Sequence, residues 1–108
     1  MAQIIAEIGW NHMGNMSLAE EMIKQASSSG ATYAKFQSWT VDKLKAGDWD
    51  NDGRRQIYEK AELSEEDHIK LINICKIYNV KFLSSVFSIR DAKLLKSLKQ
   101  SEVKIPSF

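Results

Sequence analysis

The sequence predicts an α/β protein in which parallel strands alternate with amphipathic helices. Three observations predict it: short apolar runs rich in β-branched residues, helix-spaced apolar stripes between them, and turn or cap residues at the junctions. The chain has 108 residues, of which 44% are hydrophobic and 27% charged, enough for one core and too few for two. One domain spanning 1–108 is expected.

The first strand is read over 4–9, where Ile4-Ile5-Ala6-Glu7-Ile8 ends at Gly9. Asn11 to Asn15 read as a loop. A helix over about 17–29 follows, with Ser17 and Glu20 in the spacing of a capping box and Leu18, Met22, Ile23 and Ala26 as its apolar positions. Gly30 ends it, and a second strand runs over about 31–37. Residues 38–63 lose periodicity and are dense in Gly, Asp and Asn, which predicts a long loop with a helical turn near 54–60. Ser64 and the acidic turn Glu65-Glu66-Asp67 start a second long helix whose apolar positions are Leu71, Ile72, Cys75 and Tyr78. A third strand over 81–87, a third helix from Ser88 and a fourth strand over 103–106 complete the order. Such alternation implies a parallel sheet. Length alone favours an open four-stranded parallel α/β sheet, since a closed eightfold barrel needs about 250 residues.

Charge excludes some partners. Fifteen Lys+Arg against 14 Asp+Glu, with no long run of one sign, leave no electrostatic footprint for nucleic acid or an anionic membrane. No apolar stretch approaches a membrane span. The single Cys75 has no intramolecular partner, and Met1 leads into a strand-like run without a basic and apolar leader, so a cytoplasmic chain is expected.

A strand buried on both faces is nearly all apolar, so its polar residues are informative. Glu7, Lys35, Gln37, Ser84, Ser85 and Lys104 all fall toward the carboxyl ends of predicted strands. Lys35 and Gln37 share a face opposite Ala34 and Phe36. Ligands of parallel α/β proteins bind at those ends. Two lysines and serine hydroxyls suit a phosphate or carboxylate, and a carboxylate with a carboxamide suits sugar hydroxyls. The competing structural reading makes Glu7 and a lysine a buried ion pair.

His12 lies on the first strand-to-helix loop, where it either orients a ligand or caps and packs. His68, among Glu66, Asp67 and Lys70, reads as a solvated surface histidine, and Cys75 as core. Trp10 and Trp39 flank strand ends and are placed to wall a pocket. No His or Cys set has metal-ligand spacing, and the glycines of 9–14 lack the spacing of a nucleotide loop.

Five segments in order then carry a family resemblance: Ile5-Ala6-Glu7-Ile8-Gly9-Trp10-Asn11-His12, Ala34-Lys35-Phe36-Gln37-Ser38, Glu62 to His68, Phe82 to Ser88, and Val103-Lys104-Ile105-Pro106-Ser107. Together they resemble the amino-terminal part of the sialic acid synthases, a family that includes N-acetylneuraminate, legionaminate and pseudaminate synthases and spore-coat polysaccharide relatives. The resemblance implies the first half of a (β/α)8 TIM barrel, with four parallel strands and three main helices, truncated before the second half-barrel and an antifreeze-like domain.

It also implies condensation of phosphoenolpyruvate with an N-acetylated hexose of the N-acetylmannosamine type, giving a nine-carbon ulosonic acid and phosphate. By the resemblance, Lys35, Ser85, Lys104 and Ser107 meet phosphoenolpyruvate. Glu7, the candidate catalytic carboxylate, meets the sugar together with Gln37 and Asn51. A divalent metal, Mn or Mg, serves the full-length family, which is typically homodimeric. Two departures stand out. The family reads Ser-Thr-Pro-Phe where this chain has Ser84-Ser85-Val86-Phe87, and Ser-Gly-Glu where it has Ser107-Phe108. With the metal-binding histidines of later strands absent, the 108 residues alone are expected to be inactive, and two open sheet edges to make them marginally stable or oligomeric. The alternatives are a non-catalytic half-barrel that binds a small anion and another phosphoenolpyruvate-condensing aldolase.

Overall fold

The computed structural model describes residues 3–41, 44, 47, 51–98 and 100. The expected fourth strand over 103–106, with Lys104 and Ser107, lies outside them. The order is β1 (Ile5–Gly9), α1 (Met16–Ser28), β2 (Tyr33–Ser38), α2 (Arg54–Ala61), α3 (Glu65–Ile77), β3 (Lys81–Val86) and α4 (Ile89–Ser97). The strands form one parallel sheet in the order β1-β2-β3. Among the described residues no helix is long and apolar enough to cross a membrane.

Local chemistry sets the helix boundaries. Asn15, not Ser17, caps α1: its Oδ1 accepts the Leu18 amide at 3.1 Å. The apolar stripe shifts accordingly, with Ala19, Ile23 and Ala26 buried and Leu18 exposed. Ser64 forms a full capping box with Asp67 at the start of α3, satisfying two backbone donors. Ser88 caps α4 by accepting the Asp91 amide. The 38–63 segment is less irregular than its composition predicts, because α2 makes two helical turns of it.

The core lies on one face of the sheet. Ile8, Ala34, Phe36, Phe82 and Val86 pack with Ala19 and Ile23 of α1, Leu71, Ile72 and Cys75 of α3 and Leu95 of α4 in a single apolar cluster. The Phe36 and Phe82 rings stack at 5.4 Å between centroids. Tyr33 and Leu83 alternate with these residues and are also buried, on the opposite face of the sheet. Three helices on one face are the layering of a barrel wall, whereas an open doubly wound sheet carries helices on both faces.

A second, smaller cluster sits at the carboxyl end of the sheet. It joins Trp10, Trp39 and Phe87, each the first residue after a strand, to Val41, Tyr58 and Ala61. The Trp39 indole N–H donates to the Tyr58 carbonyl at 2.9 Å, and the Val41 amide donates to Glu62 at 2.7 Å. These contacts fold the β2-to-α3 connection back over the strand ends.

Candidate functional site

Strand register brings four of the predicted residues together. Glu7 is the register partner of Lys35, and Gln37 that of Ser85. Side chains alternate along a strand, so Glu7, Lys35, Gln37 and Ser85 share the face turned away from the helix-packed core. The β1–β2 register shifts between Glu7 and Gly9, and Gly9 has φ +60. That bulge ends the strand and brings the Gln37 side chain within 4.0 Å of where a Gly9 Cβ would stand.

Lys35 Nζ lies 2.9 Å from Glu7 Oε1. The ion pair foreseen as the competing structural reading is therefore formed, but it is not a buried one: the Glu7 side chain is 53% exposed and that of Lys35 16%. A pair this open to water contributes about 0.2–1 kcal/mol, so a better anion can displace Glu7 from the ammonium. Ser85 is buried beside them. Asn51 is exposed in the turn before α2, and no described contact joins it to the four.

Behind this face runs a hydrogen-bonded chain of buried polar groups. His68 Nε2 lies 2.7 Å from Ser38 Oγ, which lies 2.6 Å from Ser84 Oγ, and Ser84 Oγ lies 3.1 Å from the Ser85 carbonyl oxygen. His68 Nδ1 lies 2.7 Å from the Ser64 carbonyl oxygen. The expected surface histidine is thus 1% exposed. The reason is periodicity: His68, Leu71, Ile72 and Cys75 form the buried stripe of α3, which begins one turn earlier than its aliphatic residues suggest. Burial holds His68 below the ordinary histidine range, against the opposing pull of the Ser64 carbonyl and the carboxylates of Asp91, Asp67 and Glu65. Ser84 faces the helices, opposite to Ser85, as consecutive strand residues must.

His12 packs rather than reaching the site face. It is fully buried, its ring centroid 6.0 Å from that of Phe36, and its Nδ1 accepts the Gly14 amide at 2.9 Å. Its Nε2 has no partner among the described residues. Burial lowers its pKa, with Asp67 opposing. Gly14 itself has φ +79, and a Cβ there would collide with the Lys60 carbonyl oxygen, so the β1–α1 loop is seated directly on the end of α2. Burial also pushes the Cys75 thiol up to about 12, which makes it core and unreactive.

A groove of about 400 Å³ runs along the open edge of β1 between Ile8, Met22 and Ala31. It shares Glu7 with the candidate site but is not lined by Lys35, Gln37 or Ser85. Among the described residues no three His, Cys, Asp or Glu side chains are placed to hold a metal ion.

The profile of the NeuB family matches residues 22–108. The chain belongs to the NeuB family. It is 36% identical to the N,N'-diacetyllegionaminic acid synthase of Campylobacter jejuni over 96% of its own length, and 32% identical to the pseudaminic acid synthase of that organism over 97%. An N-acetylneuraminate-9-phosphate synthase of Drosophila melanogaster is 32% identical over 96% of the chain. The chain spans about a third of these relatives, 34%, 34% and 31% of their lengths. Among solved structures, the N-acetylneuraminic acid synthetase of Leptospira borgpetersenii in complex with citrate superposes with a TM-score of 0.79 at 26% identity, covering 94% of this chain and 35% of that one. The SpsE protein of Bacillus subtilis gives 0.73 at 33% identity, covering 95% and 28%. The one-sided sheet is accordingly part of a NeuB-family barrel, and the open-sheet alternative is set aside. The relatives' names are those of synthases of legionaminic, pseudaminic and N-acetylneuraminic acids.

Proposed function

We propose that this NeuB-family chain supplies the first strand ends of a site that condenses phosphoenolpyruvate with an N-acetylated hexose to give a nine-carbon ulosonic acid and phosphate. One observation carries the reading: Glu7, Lys35, Gln37 and Ser85 share the face of the parallel sheet opposite the one on which α1, α3 and α4 pack, toward the strands' carboxyl ends.

The chemistry assigns the roles. Lys35 is a cation on an almost closed stem, with a weakly held partner that a phosphate or carboxylate replaces. The Ser85 hydroxyl donates to the same anion, and Lys104 and Ser107 join it from outside the described residues. Glu7, released from Lys35, and Gln37 accept and donate to sugar hydroxyls, with Asn51 a further sugar contact. In the reaction a carbon–carbon bond forms between the enol carbon and the sugar aldehyde carbon. Water supplies the new keto oxygen, and the carbon–oxygen bond to phosphate breaks. The residues here hold the two substrates in line and balance the anion's charge. The described residues offer no donor set for the metal that the resemblance implies, and none of these roles runs through it.

The test is calorimetric titration of phosphoenolpyruvate into the protein and its Lys35→Ala variant, with phosphate release followed in the presence of N-acetylmannosamine and Mn. Binding that disappears in Lys35→Ala supports the anion site. Equal affinity in both proteins removes it.

A further inference from the structure

The hydrogens in the buried chain behind the site are determined by valence. The Ser64 carbonyl only accepts, so at 2.7 Å the His68 Nδ1 carries a proton. Neutral His68 then has a lone pair on Nε2, and Ser38 donates to it. The Ser38 oxygen in turn accepts from Ser84, whose one hydrogen is thereby used. Charged His68 reverses every link: Nε2–H donates to Ser38, Ser38 to Ser84, and Ser84 to the Ser85 carbonyl 3.1 Å away. All three residues are at most 1% exposed, so they are shielded from bulk water.

We propose that His68 is a positioning residue, and that its protonation sets the direction of the Ser38–Ser84 hydrogen bonds and so whether the Ser85 carbonyl is held. The consequence for ligand rests on the function proposed above. Ser85 and its register partner Gln37 stand on the site face, while their neighbours Ser84 and Ser38 are tied together on the other. A proton taken up on α3 thus reaches the backbone of a ligand-facing residue through two hydroxyls. The charged groups around His68 are Asp67 and Glu65 on α3 and Asp91 on α4, all favouring its protonated form, while burial disfavours it.

The experiment follows the Ser85 carbonyl carbon and both histidine rings by NMR in the full, isotopically labelled chain as pH falls from about 8 to about 5. The Ser85 shift is expected to move with the His68 midpoint and not with that of His12, and to stay flat in His68→Gln. In Ser38→Ala it stays flat while His68 still titrates. If Ser38→Ala does not fold, Ser84→Ala breaks the chain one link later. A Ser85 shift that follows His68 equally in the variants, or that stays flat in the unmodified chain, overturns the proposal. So does a His68 that takes up no proton before the fold melts. Phosphoenolpyruvate affinity, measured on both sides of the midpoint, is compared as the ratio of the unmodified chain to Ser84→Ala, in which the phosphate's own ionisation cancels. A change in that ratio of about two- to tenfold, the effect of one hydrogen bond, is expected. A constant ratio, or no binding at any pH, with the Ser85 shift still tracking His68, removes the functional reading and leaves the relay standing.

Discussion

Lys35 reaches Glu7 across the β1–β2 register at 2.9 Å while its partner's side chain stays half in water. That inequality predicts opposite effects from the two ends of one ion pair. Glu7→Gln frees the ammonium, and phosphoenolpyruvate affinity is expected to rise about two- to fivefold, the equivalent of an exposed pair of up to about 1 kcal/mol. Binding of the sugar falls in the same variant, and unfolding free energy changes by less than about 1 kcal/mol. Calorimetry with each ligand and a denaturant melt check the three statements; an unchanged affinity for both ligands would remove Glu7 from the site.

Cys75 gives a probe of core integrity. Its thiol is 1% exposed and pushed up to about 12 by burial. At pH 8 it is expected to react with a thiol reagent only through opening of the fold, so its rate falls well below that of a free cysteine and recovers in denaturant. Fast reaction in the absence of denaturant contradicts a packed α3.

Much of this was legible in the sequence, because strand and helix periods are long-range signals that single polar residues do not erase. Lys35 and Gln37 declared a second strand face by alternating with Ala34 and Phe36, and the register then placed Glu7 and Ser85 beside them. His68 was illegible for a physical reason. Its neighbours Glu66 and Lys70 are exposed and Asp67 is half-buried on the same stretch of helix, and only the spacing to Leu71, Ile72 and Cys75 marks His68 as buried. Chemistry alone groups Ser84 with Ser85, although a strand turns consecutive residues to opposite faces. Asn15 and Ser17 are both good caps, and the sequence does not rank them; the geometry chooses Asn15 because Ala19, not Leu18, meets the sheet. In α2, Arg54 to Ala61 hold only Ile57, Tyr58 and Ala61 as apolar residues, too few to separate a helix from a turn.

Phe36 is the central residue of the sheet-to-helix interface, fully buried, stacked on Phe82 and touched by the His12 ring. Phe36→Ala is expected to lower the unfolding free energy by about 3–5 kcal/mol, a large share of the roughly 5–15 kcal/mol that holds a domain folded. Phe36→Leu keeps most of the volume and loses less. Equal melting of the two variants and the unmodified chain would show that the core lies elsewhere.

Gly14 makes a separate claim on the backbone. Its φ of +79 and the Lys60 carbonyl against its α-carbon leave no room for a methyl group. Gly14→Ala is expected to destabilise by about 1–3 kcal/mol through strain and displacement of the loop from α2. Gly53→Ala shares the left-handed backbone but meets nothing within 4 Å, so it isolates the backbone part. The two losses should differ, with Gly14→Ala the larger; equal losses would deny the contact with Lys60.

The two buried histidines fix the acid limb of stability. Both have pKa values lowered by burial, so the folded chain keeps them neutral at pH values where the unfolded chain already binds a proton near its ordinary pKa of about 6.5. Wherever the unfolded state holds more protons, stability rises with pH. The histidine contribution is therefore fully present above about pH 6.5 and is lost as pH falls toward the lowered folded values. Urea midpoints are expected to drop between about pH 6.5 and 5, a range mostly above the ordinary carboxylate pKa values. His68→Gln and His12→Gln should each remove part of that slope, because neither replacement takes up a proton. A slope unchanged in both variants would place the titrating groups elsewhere and deny that burial holds these two rings neutral.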